Sequence, residues 1–589
     1  MQQSPTIFGS IIRTRIWYAL LLILSCIVLI RVFYLQVIKH DYYTSAALSS
    51  QLKEYEIPAS RGVIEAYSGD SVVPLVLNET KYTLFADPEF IENDEETTDR
   101  LREVINLERG ELLDQLSRDS RYVILQKKLD TDTKERIEAL ELKGVGLREE
   151  PYRAYPQGKL AAHILGFVND EGQGVYGIEQ ALNDSLMGEP GQLKAITNAR
   201  GVPLAANRDN IVIEPQSGDR TLLTIDVGLQ KQLEDILKAG VDDSRSESGG
   251  AMIMNARTGA IKAMANYPTY SPASFFAVES EDVDVFQNSL VSSPLEIGSI
   301  MKTLTMAAAL DQGVVSRNTT YYDPNQFKVD GATITNVEES SGVGMRSMED
   351  ILQMSLNTGA TWLLKQMGGG EINDTARTTW HDYMTNHYFF GQNTGIEQGY
   401  EAPGVIPDPD DGFGLNIRYA NTAFGQGMTA TPLQAVGALA SVVNGGTYYQ
   451  PRLVDAIEID GGERQAVEPI VKNSQTIAPS ASQDLRSLME NAFAENYRTY
   501  GMQSLPPQYS IGGKTGTAQI ADPDGGYYEN KFNGTFMGFV GGDDVEYVII
   551  ARVDDPKIGG YAGSVAAGPI FVDLAQFLID NFGVQPKSN

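Results

Sequence analysis

From Ile16 to Ile30 the chain carries no charged residue, and after Arg31 the run from Val32 to Ile38 is apolar apart from Gln36. Taken as one helix over 16–38, this stretch rises about 34 Å at 1.5 Å per residue, enough to cross a bilayer core. Arg31 lies near its far end, where a long side chain snorkels to the headgroups. No small-x-small cleavage site follows at Val37-Ile38-Lys39-His40-Asp41, so the pattern predicts a retained single-span anchor, not a cleaved leader. Arg13 and Arg15 precede the span, which puts residues 1–15 in the cytoplasm and the bulk of the chain outside the membrane.

Beyond the anchor the pattern divides in two. Over 39–218, short strand-like runs (82–85, 122–125) mix with acidic helical stretches. Helical spacing recurs at Leu101, Val104 and Ile105, then at Leu112, Leu113 and Leu116. The acidic run Glu92 to Glu96 reads as a solvated face. Nothing in this stretch carries chemistry, so it is read as an elongated α+β pedestal. From 219 to 585 a larger unit follows, with a short tail at 586–589. It opens with a strand at Thr221 to Ile225 and a helix capped by Asp226 with Leu229, Leu233, Ile236 and Leu237 on one face. A hairpin comes next: Ala251 to Asn255, the turn 256–259, then Ala260 to Ala265. A helical region separates it from three late strands, 511–519, 534–540 and 546–553, and from a last helix that starts at Pro569 and stops at Gly583. Two early and three late strands predict one antiparallel five-stranded sheet between helical layers, closed by distant segments. The fold class is α+β.

Composition narrows the chemistry. Forty-six Lys and Arg against 77 Asp and Glu leave a net charge of −31, which excludes a phosphate-tracking nucleic-acid protein. The one cysteine, Cys26, falls inside the span, so no intramolecular disulfide and no cysteine zinc site forms. His40, His163, His381 and His387 show no metal-ligand spacing, and no metal site is expected.

Three short motifs remain, all in the larger unit. Ser299-Ile300-Met301-Lys302 opens an apolar helix that runs to Gly313, and a spacing of three sets the hydroxyl and the amine on one face. Serine needs a base to become a nucleophile. Lysine becomes one only when desolvation or a nearby cation such as Lys514 lowers its pKa. Ser355-Leu356-Asn357 adds a second hydroxyl and an amide. Lys514-Thr515-Gly516-Thr517-Ala518-Gln519 follows Gly512-Gly513 on a strand, with Thr515 and Thr517 facing one way and Lys514 the other. The glycines there point to close approach by another backbone, such as a bound peptide. A phosphate loop ending at Gly513-Lys514-Thr515 would need glycine at position 508, which is Gln.

In this order the three motifs resemble the active-site set of penicillin-binding proteins and serine β-lactamases. Glu296-Ile297-Gly298, Thr258-Gly259-Ala260-Ile261, Ala423-Phe424-Gly425-Gln426-Gly427 and Thr431-Pro432-Leu433-Gln434 resemble penicillin-binding transpeptidase domains. Arg61-Gly62-Val63-Ile64, Tyr155-Pro156, Gly166-Phe167-Val168 and Gly177-Ile178-Glu179 resemble the pedestal, or dimerisation domain, of class B penicillin-binding proteins. The segment from Tyr122 to Asp130, with Gly144-Val145-Gly146-Leu147 and Arg153, is closer to division-type than to elongation-type sequences.

The resemblance implies a D,D-transpeptidase that crosslinks peptidoglycan stem peptides and is a target of β-lactams. Ser299 would be the nucleophile, Lys302 the base and Ser355 a proton relay. The backbone N–H groups of Ser299 and Thr517 would form an oxyanion hole. Lys514, Thr515, Gly516 and Thr517 would hold the terminal carboxylate of a D-Ala-D-Ala end, and Asn357 an amide. No cofactor is implied. Class B proteins have no glycosyltransferase domain, so the expected partners are a polytopic SEDS-type lipid II glycosyltransferase and other divisome membrane proteins. The rival readings are a D,D-carboxypeptidase or β-lactam hydrolase, and a catalytically silent scaffold.

Two departures stand out. Ile297-Gly298 and Thr303 replace the family's usual Pro-Gly before the nucleophile and Pro after the lysine. Ala66-Tyr67 replaces the usual Asp-Arg pair of the pedestal, which puts in question the polar contacts that pair makes to the catalytic domain.

Overall fold

The computed structural model describes residues 7–40, 42–43, 52–196, 211–336, 342–459, 461–500, 505–521, 526–560 and 562–588. They form two compact units: one from 1–60 and 188–217, the other from 61–187 and 218–589. The stretch read as one pedestal therefore contributes to both.

In the first unit a helix over Ile7–Phe33 continues as a wider π-turn over Tyr34–Ile38. The window Thr14–Ile38 has a mean hydropathy of 2.5 and none of it is buried by protein, the condition of a lipid-facing span. Strand Leu52–Ile57 pairs antiparallel with Gly191–Ile196, which pairs in turn with Ile211–Ile213.

In the second unit, strand Ile64–Ser68 pairs antiparallel with the long strand Ser71–Ala86, which also pairs with Val123–Leu129 and Val145–Ala154. The strand Arg220–Asp226, which opens the larger sequence segment, joins this sheet parallel to Ile64–Ser68. The acidic run has a more specific role than solvation. Asn93 caps a helix over Asp94–Arg102, so Asp94, Glu95 and Glu96 occupy its first turn, where negative charge meets the positive end of the dipole. Leu101 of this helix, Ile105 of the link after it, and Leu112 and Leu116 of the next helix (Arg109–Leu116) form a small core with Leu84 and Leu125.

One buried carboxylate ties the pedestal part together. Glu179 is fully buried and accepts from Arg61 Nε (2.6 Å) and Arg153 Nε (2.9 Å), while Arg153 Nη1 donates to Asn78 Oδ1 (2.9 Å). Two pedestal motifs that are far apart in the chain, those of Arg61 and Glu179, thus meet with Arg153 in one ion-pair network. Polar contacts across the shared sheet also persist despite Ala66-Tyr67. Tyr67 Oη donates to Asp455 Oδ2, and Glu65 accepts from Arg220 and Arg464.

The catalytic-type domain follows in chain order: α1 (Val227–Ser244), β1 (Ser248–Asn255), β2 (Ile261–Tyr267), α2 (Met301–Asp311), α3 (Met348–Gln353), α4 (Asn357–Met367), α5 (Pro432–Val443), α6 (Pro479–Tyr500), β3 (Ser510–Ala521), β4 (Tyr527–Gly541), β5 (Val545–Asp554) and α7 (Gly568–Asn581). The sheet order is β2-β1-β5-β4-β3, antiparallel throughout, as the strand count predicts. Side-chain alternation sorts the two helical layers. Ile253, Ile549 and Ala551 face Leu229, Leu233, Ile570 and Phe571 of α1 and α7. Met252, Val548 and Ile550 face the other way, toward the core that holds α2 and α5. Thr431-Pro432-Leu433-Gln434 is a capping box: Thr431 and Gln434 satisfy each other's backbone N–H, with Pro432 in the first turn. β3, at the edge of the sheet, carries the Lys-Thr-Gly motif.

Removing Glu179 strands two arginines whose side chains are only 9% and 6% exposed. Glu179→Ala is expected to cost about 3–5 kcal/mol of stability. The check is the chemical-denaturation midpoint of the solubilised protein, and an unchanged midpoint rules the network out as a structural tie.

Candidate active site

The sequence places a nucleophile candidate where a helix begins, and the structure shows how that start is built. Gly298–Ile300 form a single 3₁₀ turn leading into α2. Every residue from Ile300 to Leu310 is buried, and within that run Lys302 is the only charged group. Gly298 has φ +59, a conformation glycine adopts without a steric penalty, and its N–H donates to Gly425 O (3.1 Å). The Ala-Phe-Gly-Gln-Gly loop thereby braces the turn that bears Ser299. Thr303, where the family usually has proline, donates its hydroxyl to Ile300 O (2.7 Å) and leaves no buried donor unmet.

Ser355 lies in the short link between α3 and α4 with φ +54, which is strained for a residue bearing a Cβ. Three amine contacts converge on it. Lys302 Nζ donates to Ser355 O (2.5 Å) and to Ser355 Oγ (3.2 Å), and Lys514 Nζ donates to Ser355 Oγ (2.9 Å). A hydroxyl has two lone pairs and one proton. With both lone pairs of Ser355 engaged by amines, its proton is left to point elsewhere.

Both lysines are buried, with no exposure at Lys302 and 2% at Lys514. Desolvation, and secondly the nearby charge of Lys514, hold the Lys302 amine well below its ordinary pKa. A neutral Lys302 has two N–H groups, which match its two contacts to Ser355, and keeps one lone pair free to take a proton. No hydrogen bond joins Ser299 to Lys302 among the described residues. Such contacts often tighten only when substrate is present.

The cleft above these groups has a volume of about 720 Å³, and Ser299, Ser355, Thr515 and Thr517 all line it. The edge strand β3 lies hard against the nucleophile turn. A Cβ added at Gly516 would stand 2.2 Å from Thr535 Oγ1 and 3.0 Å from Ile297 O. One expected close approach is therefore to the nucleophile segment. At Gly512 and Gly513 the close neighbours are the rings of Phe539 and Phe536, not a peptide backbone.

Lys514 and Thr515 do not stay on opposite sides as strand alternation alone predicts. The long lysine chain curls so that Nζ also meets Thr515 O (3.1 Å) and Thr515 Oγ1 (3.2 Å). Asn357 begins α4, and its amide donates to Thr335 O (3.0 Å). Sequence reasoning also missed Glu296, whose Oε1 accepts from Gly427 N (2.7 Å) and Tyr527 Oη (2.8 Å) and so joins the nucleophile segment to the loop and to β4. Its place two residues before Gly298 was visible, but its partners lie more than 130 positions away. No cluster of metal-binding side chains occurs among the described residues.

Comparison with known proteins agrees with this arrangement. Residues 249–576 match the penicillin binding protein transpeptidase domain, and residues 56–223 match the penicillin-binding protein dimerisation domain. The chain is 31% identical to stage V sporulation protein D of Bacillus subtilis, over 98% of this chain and 87% of that one. It is 27% identical to peptidoglycan D,D-transpeptidase FtsI of Escherichia coli, over 95% and 90%. A crystal structure of penicillin binding protein 3 from Mycobacterium tuberculosis, complexed with aztreonam, shares the fold with a TM-score of 0.68 at 22% identity, covering 90% of this chain and 98% of that one. With a dimerisation domain, a transpeptidase domain and an N-terminal apolar helix, the chain belongs to the class B penicillin-binding proteins.

Proposed function

We propose that this protein is a serine D,D-transpeptidase that crosslinks peptidoglycan stem peptides, with Ser299 as the acylated residue. The observation that carries this reading is the meeting of two buried amines on one serine hydroxyl, in the cleft that also exposes Ser299. Ser299 Oγ attacks the carbonyl between the last two D-alanines while its proton passes to the neutral Lys302 amine. The backbone N–H groups of Ser299 and Thr517 face the developing oxyanion. Ser355, held by both lysines, passes a proton to the departing D-alanine nitrogen. The Lys514 ammonium with Thr515 and Thr517 binds the terminal carboxylate, and Gly516 lets this strand close on the nucleophile turn. An amine of a second stem peptide then attacks the ester carbonyl, releasing Ser299 and completing the crosslink. Asn357, whose side-chain nitrogen donates to Thr335 O, holds a substrate amide in this account.

β-Lactams acylate the same serine as mimics of the D-Ala-D-Ala end. The apolar N-terminal helix anchors the protein in the bacterial cell membrane, with its N-terminus cytoplasmic and the catalytic domain outside. A class B protein makes no glycan strands, so it works with a SEDS-type lipid II glycosyltransferase and other divisome membrane proteins. The division-type pedestal sequence and the FtsI relative support septal wall synthesis; the sporulation-protein relative supports a spore-wall role as the second reading.

Incubation with a fluorescent penicillin is expected to leave a covalent label on a denaturing gel, absent in Ser299→Ala. Label that persists in the variant moves the nucleophile elsewhere, and rapid loss of label from the wild type favours a hydrolase.

The pH dependence of acylation tests the role of Lys302. Lys514 disfavours the protonated form of its neighbour, so removing it raises the Lys302 pKa. In Lys514→Ala the acid limb of the penicillin acylation profile is expected to move to higher pH, with a slower rate throughout from the lost carboxylate contact. An acid limb that stays in place means that Lys302 is not the base.

A further inference from the structure

Between α2 and α3 the chain makes a two-stranded hairpin that carries no group the mechanism uses. Gln326–Val329 pairs with Ala332–Thr335, and of these strands only Ile334 is buried. So small a ribbon is marginal by itself, and it is held at both ends. At its root, Thr335 O accepts from Asn357 Nδ2 (3.0 Å) and Asn336 Oδ1 from Thr358 N (3.1 Å). The fully buried Asp323 accepts from Thr358 Oγ1 (2.8 Å). The root is thereby tied to Asn357 and Thr358, just past the strained Ser355 link. At the tip, Asp330 and Gly331 have φ +46 and +82, the pair of positive values of a type I′ turn. Asp330 Oδ2 accepts from Asn416 N and Ile417 N, both at 3.1 Å. These donors belong to the first turn of the helix Leu415–Thr422, which Gly414 precedes without a capping side chain. Asp330 thus caps this helix from a distant element and sets a negative charge at the positive end of its dipole. Beyond its far end the chain meets the nucleophile segment. Ala423 O accepts from Thr305 Oγ1 of α2 (2.9 Å), Gly425 O accepts from Gly298 N (3.1 Å), and a Cβ at Gly425 would stand 2.1 Å from Gly298 O.

Resting on the transpeptidase reading above, we propose that Asp330 is a positioning residue and that its hairpin is a strut fixing the Ser355 link relative to the Ser299 turn. Ser299 and Lys302 share one helix start, so their spacing is local. Ser355 comes from a separate link, and a proton relay between separate elements needs its geometry held closely. The strut spans roughly 13 Å, four residues of strand, and joins the two segments without touching a reacting group. On the other side of the same helix start, Asn416 Oδ1 accepts from Nη1 of the buried Arg377 (2.7 Å). Arg377 holds the helix to its own neighbours. Asp330 alone joins the helix start, through the hairpin, to the residues after Ser355. Loss of the carboxylate leaves two helix N–H groups without their acceptor and cuts that connection.

The test follows labelling of the full membrane-anchored protein over a range of fluorescent penicillin concentrations, which separates the first-order acylation constant from the affinity of the initial complex. Asp330→Gly removes the carboxylate and keeps a turn that accepts two positive φ values. It is expected to lower the first-order constant about fivefold. The initial affinity is expected to stay unchanged, because Lys514 and Thr515 lie on β3, outside the strut. Asp330→Asn retains an acceptor oxygen and is expected to recover most of the rate. Thr333→Ala, at an exposed position of the same hairpin, is expected to acylate at the wild-type rate. Full labelling at completion shows a folded site in each variant. If Asp330→Gly does not fold, Asp330→Ser, too short to reach the helix, replaces it under the same criteria. A wild-type rate in the variant without the carboxylate, equal slowing in Asp330→Asn or Thr333→Ala, or a loss confined to the initial affinity each overturns the strut and leaves the transpeptidase reading standing. Absence of labelling in the wild type counts against that reading instead.

Discussion

Two lysine amines share one hydroxyl inside a protein, and water reaches neither freely. Like charges that close in a poorly solvated site do not both stay ionised, so one amine gives up its proton. The geometry decides which. Lys302 sits on a helix buried on every side, with no exposed surface. Lys514 sits on an edge strand beside the cleft, where an anionic ligand can pair with it. In the proposed mechanism, burial of α2 sets the division of labour between Lys302 as neutral base and Lys514 as charged clamp. The apolar core around that helix is as much a part of the chemistry as the side chains that touch substrate.

The scaffold exists to hold that division. The hydroxyl nucleophile and Lys302 come from one helix start, Ser355 from a strained link 53 residues beyond Lys302, and Lys514 from a strand a further 159 residues on. Only a sheet closed by distant segments brings these together. β3 sits at its edge and is therefore free on the side that faces α2. Gly298 and Gly516 remove the side chains that would keep the nucleophile turn and this strand apart.

Much of this was legible in the sequence, for physical reasons that differ by element. The five strands could be read because their alternation and their Val and Ile content reflect burial on two faces. The Ser-x-x-Lys pair could be read because helix periodicity is local. What was not legible depended on caps, side-chain paths and distant partners that hydrophobic periodicity does not report. The acidic run at 92–96 reads as a charged surface, and only its cap, Asn93, reveals a helix start. The partners of Glu296 lie 131 and 231 positions away. The curl of Lys514 back onto Thr515 breaks strand alternation because a four-carbon chain can pass from one face to the other.

Overall charge and local charge pull in opposite directions, and the fold reconciles them. An acidic protein repels an anionic peptide at long range, while the catalytic step needs one carboxylate held firmly at short range. In the proposed mechanism the buried Lys514 ammonium, with the Thr515 hydroxyl 3.2 Å away, supplies the short-range term without making the cleft broadly cationic. A cleft lined with more cations would bind anionic peptides more tightly, but it would also pair with carboxylates that take no part in the reaction. On that reading, confining positive charge to Lys514 beside Ser355 sets the strongest electrostatic anchor in the cleft next to the scissile bond. Orientation on that reading follows from where the charge is placed.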